Sequence, residues 1–216
     1  MTFDRNLARD RIIEAALPHV PFDGWSEAVL ARAAEAAGYP AATAVRVFPA
    51  GTLDALAHWC AMADNAMIET CEADPDFPAM KIREKIAYAI RVRLGPLAPH
   101  REAVRRALAA MAMPSGIPLS MKTLWATVDA IWRLAGDRAT DFNYYSKRGL
   151  AAAVYSSTLL YWLEDRSEGQ TDSWAFLDRR IADVMALPKA MEGVKAQFAK
   201  MPNPFAPLAA KFRKAG

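Results

Sequence analysis

The sequence predicts an all-α fold of nine or ten helices, with a helix-turn-helix unit at its N-terminus and a larger helical lobe behind it. Three observations predict it. Apolar residues recur at helical spacing along nearly the whole chain, and no stretch alternates with the period of two that a half-buried strand requires. Fourteen prolines and ten glycines punctuate the 216 residues into segments of helix length. Finally, the stretch Gly149 to Leu163 is apolar on every side apart from two tyrosines, Ser156, Ser157 and Thr158. A helix of that kind is a central core element that meets its own domain on one face and a second subunit or a lipid on another. It is too short to span a bilayer, which takes about 20 apolar residues.

The elements follow in order. Leu7, Ile12, Ala15 and Ala16 give a first amphipathic helix, which the Pro21 to Gly24 turn stops. Ser26 is an N-cap for a second helix through Ala37, and after Gly38-Tyr39-Pro40 a short third helix runs from Ala41 to Phe48. Two short helices about a four-residue turn have helix-turn-helix proportions. Thr52 opens a long helix to Cys71 or Glu72. Further helices are expected over Met80–Gly95, His100–Met113 and Ser120–Ala135, with prolines marking the breaks. After the central helix, Thr171 or Asp172 opens one that reaches Leu187, and Pro188 kinks the chain before a segment from Ala190 to Met201. The expected divisions are a helix-turn-helix unit over 1–51, a lobe for ligand and dimer contacts over 52–201, and a basic tail over 202–216.

Charge is unevenly placed. The chain carries a net charge of +3, yet residues 187–216 hold six basic side chains against Glu192 alone, so the remainder is slightly acidic. Within the helix-turn-helix, Arg32 and Arg46 face Glu27, Glu35 and Asp54, and the second short helix offers one arginine and no Asn, Gln or Lys to read base edges. DNA is therefore not an expected partner. Cys60 and Cys71 lie eleven residues apart on one helix, roughly 16 Å, too far for a disulfide. Reduced thiols, together with an N-terminus lacking a secretory or transit pattern, lead to the expectation of a bacterial cytoplasmic protein or an organellar one already trimmed.

Catalytic chemistry finds no support. His19, His58 and His100 sit on separate segments without metal-ligand spacing, and there is no phosphate loop, dinucleotide fingerprint or nucleophile elbow. Neither an enzyme nor a cofactor is expected. Asp54 and His58, four apart, read as a helix-surface pair.

Two resemblances are carried by particular residues. YPAATAVRVFPAGTLDAL resembles the N-terminal unit of TetR-family regulators, where a turn, a short recognition helix ending in an aromatic and a fourth helix follow in this order. LPHVPFDGW, then LWATVDAIWRLAGDRATDFNYYSKRGLAAAVYSSTLLYWLED, then TDSWAFLDRRIADVM together resemble the Coq-nine family, lipid-binding accessory proteins of ubiquinone biosynthesis. That resemblance implies a TetR-like, dimeric, non-enzymatic fold that carries an isoprenoid, quinone or phospholipid and works with the demethoxyubiquinone hydroxylase at the bacterial inner membrane. The rival reading is a TetR-type transcriptional regulator with a hydrophobic effector.

Three sets of site residues are expected, the first implied by the resemblance and the other two read from the residues themselves. Asp129, Ile131, Asp141, Tyr144, Tyr145 and Arg148 match the family's hydroxylase-binding patch, with Tyr144 standing where mammalian members have Trp. Asp141 equally serves as a cap for the central helix. Trp125, Val128, Trp132, Tyr155, Leu159, Trp162 and Trp174 are the large side chains expected around a lipid; from spacing alone they equally fill a core. In the tail, Phe205, Leu208 and Phe212 fall on one helical face with Lys211, Arg213 and Lys214 around it, the pattern of an interfacial helix on an anionic membrane surface.

Overall fold

The computed structural model describes residues 3–136 and 142–200, the latter without the side chains of 142–146 and 187–200. Ten α-helices and three short 3-10 turns make up the described chain, and no strand occurs among these residues. The chain divides into two units, residues 1–177 and 178–216, and the first holds the helix-turn-helix together with the helices that pack behind it. The expected boundary at 51/52 lies within that unit, at the N-cap of the fifth helix.

Helix α1 (Arg5–Ala16) begins where the Asp4 carboxylate accepts from the backbone N–H groups of Asn6 and Leu7, satisfying two of the donors a helix start leaves free. After the single turn of α2 (Val20–Asp23), Ser26 caps α3 (Glu27–Ala36) through Val29 N–H, as its residue type predicts. Helix α4 (Ala42–Val47) completes the helix-turn-helix by packing on α3 and α1. Gly51 turns the chain at φ +65°, and a side chain there would meet the Glu27 carboxylate at 2.9 Å, so only glycine is comfortable.

The long α5 (Thr52–Ala73) then runs through the body of the unit. Helix α6 (Ile82–Leu94) packs against it, and a 3-10 stretch (Gly95–His100) leads into α7 (Arg101–Ala112). Helix α8 (Ile117–Leu134) contacts α5, α6 and α7, and α9 (Phe142–Glu164) packs on α8. The tryptophan before α3 ties the N-terminal helices to this body. Trp25 donates its indole N–H to Ala103 O at 3.0 Å and lies 5.1 Å from the Trp59 ring.

Two expectations are corrected. Helix α8 starts at Ile117, not Ser120, because Pro118 occupies its first turn, where a missing N–H costs nothing and the fixed φ suits a helix. The turn before it is tight: a Cβ on Gly116 would stand 2.6 Å from Ala110 O and 2.7 Å from Met111 Cα. Asp54 and His58 do not pair. Because α1 packs along α5, Asp54 takes Arg9 at 2.5 Å and His58 takes Asp10 at 2.6 Å.

Helix α10 (Thr171–Lys200) continues past Pro188. Its start is prepared by Asp165, whose carboxylate accepts from the N–H and hydroxyl of both Ser167 and Ser173.

Candidate functional site

Five helices of the first unit line a cavity of about 220 Å³. Trp59, Cys60 and Ala63 come from α5; Val104, Ala107, Leu108 and Met111 from α7. Helix α8 contributes the stripe Ser120, Thr123, Leu124 and Thr127, and α9 contributes Tyr155, Ser156, Leu159 and Leu160. Both stripes step by three and four residues, so each is one face of its helix. Leu160 is 60% exposed and marks the open side.

The inner wall is polar. Arg93 of α6 is buried and lines the cavity. Its Nε donates to Asp64 of α5 at 2.6 Å, its Nη1 donates to the Tyr155 hydroxyl, and the Thr127 hydroxyl donates to Asp64 at 2.9 Å. Charges that leave water must be paired and hydrogen-bonded to be tolerable, and this cluster meets both conditions. Burial works against the Arg93 cation, but the Asp64 carboxylate beside it, with the Tyr155 oxygen as a further acceptor, offsets this and holds it protonated. Burial pushes the Tyr155 phenol up to about 12, despite Arg93, and pushes the Cys60 thiol up as well. Both therefore keep their protons at neutral pH.

Of the residues expected around a lipid, Tyr155 and Leu159 line this cavity. The other five lie elsewhere. Val128 is wholly buried, Trp125 is half-buried, and Trp132 donates its indole N–H to Lys147 O at 3.0 Å with the Lys147 ammonium 5.6 Å above its ring. These three sit on α8 to the side of the stripe that the cavity uses. Trp162 is buried beneath the Arg101 guanidinium at 4.8 Å, and Trp174 donates to Gly169 O at 2.8 Å. Arg93, Asp64, Thr127 and Cys60 did not stand out in the sequence. The signal was their register: Arg93 falls in the apolar series Ile86, Ala89, Ile90 of α6, and Asp64 falls between Cys60 and Met67 on the buried face of α5.

A second, more open groove of about 710 Å³ lies between α5, the Phe77–Ala79 turn, α6 and α8. Ile68, Phe77, Ala130 and Leu134 give it an apolar floor, with Glu72, Lys85, Asp129 and Arg133 among its charged walls. Here the expected partner patch is only partly at the surface. Asp129 lines the groove, but Ile131 is 1% exposed and Arg148 is 2% exposed. The Arg148 guanidinium is turned inward because it holds the Asp129 carboxylate at 2.7 Å, while Arg133 takes the other oxygen at 2.8 Å. Asp141 and the side chains of Tyr144 and Tyr145 lie outside the described residues, as do Phe205, Leu208, Lys211, Phe212, Arg213 and Lys214.

No group of three or more metal-ligating side chains occurs among the described residues, and none of their helices is long and apolar enough to cross a membrane.

The fold resembles the crystal structure of a TetR transcriptional regulator from Nitrosomonas europaea, with a TM-score of 0.66 over 81% of this chain and 95% of that one. Sequence identity is 23%, so this likeness concerns the fold alone. Among curated proteins, the chain is 32% identical over 192 residues to the mitochondrial ubiquinone biosynthesis protein COQ9 of Homo sapiens, covering 86% of this chain and 60% of that protein. The Drosophila melanogaster counterpart is 30% identical over 182 residues, covering 83% and 56%. The Dictyostelium discoideum protein, a probable member, is 28% identical over 180 residues, covering 81% and 59%. The chain thus spans about 60% of the length of the curated relatives it matches. The COQ9 family pattern matches residues 117–188, the segment that supplies the α8 and α9 walls of the cavity. Beyond that segment, the similarity to COQ9 proteins extends over most of the length of this chain.

Proposed function

We propose that this protein is an accessory factor of ubiquinone biosynthesis that binds an apolar ligand, an isoprenoid or quinone intermediate or a phospholipid tail, and presents it to a partner hydroxylase at a membrane surface. The observation that carries the reading is the cavity itself. Its walls are mostly aliphatic and aromatic with a few polar groups among them, which is the character of a small-molecule site. Its 220 Å³ are fewer than the roughly 300 Å³ at which drug-sized sites begin, which suits one ring or a short chain segment with the remainder emerging past Leu160. The relatives' shared name supports the pathway. Organic extraction of the native protein followed by mass spectrometry tests the reading. Release of a prenylated or acylated lipid in near-stoichiometric amount supports it, and protein that carries none and takes up none from mixed vesicles refutes it.

The groove beside Asp129 is the surface we assign to the hydroxylase, with Arg148 acting from beneath by fixing the Asp129 carboxylate. Tyr144 and Tyr145 are retained as aromatic anchors of that surface, Asp141 as its acidic neighbour. The tail residues Phe205, Leu208 and Phe212 with Lys211, Arg213 and Lys214 are retained as the membrane contact. A homodimer is consistent with α9, which leaves Leu150, Leu160 and Tyr161 exposed on a mostly apolar helix.

A further inference from the structure

We propose that Tyr155 sets ligand specificity at the closed end of the cavity by donating its phenolic proton to a neutral acceptor oxygen on the ring of the bound molecule. The inference rests on the apolar-ligand reading of the same cavity.

A phenol has one proton to give and lone pairs to receive. In the Arg93–Tyr155 bond the guanidinium donates and the phenolic oxygen accepts, so that bond leaves the tyrosine proton unused. No acceptor takes it among the described residues, although Tyr155 is only 5% exposed. A buried donor without a partner carries the full cost of its desolvation, and such groups are rare in folded proteins. Tyr155 and Arg93 both line the cavity, so the cavity is where an acceptor can be supplied.

Charge narrows the choice of acceptor. Arg93 is the cation of this wall, and its charge is already met by Asp64, which Thr127 holds in turn. The closed end is therefore neutral as a whole. A carboxylate or phosphate placed there would be a buried anion without a counterion, whereas a carbonyl or ether oxygen needs only the hydrogen bond. Because the phenol titrates only at about 12, its proton is present throughout the neutral range. The selected ligand is thus a ring bearing a neutral oxygen, with its apolar chain leading outward along Leu108, Leu159 and Leu160. Fatty acids are disfavoured when inserted head first.

The test compares three probes of one tail length, geranyl benzoquinone, geranylbenzene and 4-geranylbenzoate, titrated calorimetrically into the full chain and into Tyr155→Phe. In the unaltered protein the quinone should bind about tenfold more tightly than geranylbenzene, the worth of one well-placed hydrogen bond, and more tightly than the benzoate. Tyr155→Phe should remove that advantage and leave geranylbenzene unchanged. Equal binding of quinone and geranylbenzene overturns the inference while sparing the cavity reading, as does preference for the benzoate, or undiminished quinone affinity in a folded Tyr155→Phe. Failure of all three to bind overturns both. Should Tyr155→Phe not fold, the ranking of the three probes on the unaltered protein decides alone.

Discussion

Arg9 on α1 and Asp54 on α5 form an ion pair at 2.5 Å, and the same guanidinium lies 5.0 Å from the Phe48 ring that ends α4. Most of the arginines of the helix-turn-helix unit are engaged in this way. Arg5 donates to Val47 O, Arg32 pairs with Asp23, and Arg46 lies over the Phe3 ring at 4.6 Å. Phosphate neutralisation by free Lys and Arg supplies most non-specific DNA affinity. Gel shifts at about 100 mM salt should therefore show no retained duplex, and residual retention at lower salt should lack the steep salt slope of a multi-phosphate contact. A sequence-specific shift would restore the regulator reading.

The turn into α8 should be intolerant of any side chain. Gly116→Ala drives a methyl into the Ala110–Met111 backbone, and overpacking of this kind costs about 1–3 kcal/mol. Gly149→Ala is the control. Nothing lies within 4 Å of its Cβ position on α9, and alanine in a helix is favoured by about 1 kcal/mol. Urea midpoints should move in opposite directions.

Asp165 predicts an acid limb. Its carboxyl is buried, which opposes its charge, but hydrogen bonds from Ser167 and Ser173 win and hold its pKa at about 2. With a pKa depressed below the unfolded value of about 3.9, its contribution is present above roughly pH 4 and is lost as the pH falls through 2. Asp165→Ala should cost about 2 kcal/mol near neutrality. The gap between it and the unaltered protein should close toward pH 2 in denaturation midpoints.

The two thiols should report separately on the cavity. Burial, aided by Asp74 and Glu72, pushes Cys71 up to about 11, and the residue is wholly buried. Cys60 is raised but half-buried, and it lines the cavity. Maleimide labelling read by mass spectrometry should be slow at both, slower still at Cys60 when a cavity ligand is added, and unaltered at Cys71.

The helices were legible in the sequence because their caps and apolar spacing are local properties. Asp4 precedes the apolar series of α1 by three positions and is a weak cap signal, and Pro118 reads as a break, since a proline stops or starts a helix according to which side the rest of the turn lies on. The cavity was half legible. Tyr155 and Leu159 stood on a helix that was conspicuous for being apolar throughout, but which faces of five helices converge is a matter of packing. Charged residues were the harder class. Arg93 and Asp64 read as solvated until their register with Ile90 and Cys60 is noticed, and Arg148 read as a surface anchor although Asp129 draws it inward.

Helix α5 touches every place of interest in turn. Its first half is pinned to α1 through Asp54 and His58, its middle supplies Trp59, Cys60 and Ala63 to the enclosed cavity and Asp64 to its polar wall, and its last turns give Ile68, Cys71 and Glu72 to the open groove. Twenty-two residues of continuous helix thus connect the cavity to the groove. An occupant that displaces this helix alters the shape of the groove, and a partner seated in the groove alters the occupant's affinity by the same factor, since coupling between two equilibria is reciprocal. Under the proposed function, loading of the cavity and docking at the groove would be one thermodynamic cycle, in which the partner favours release or retention according to the sign of a single coupling energy.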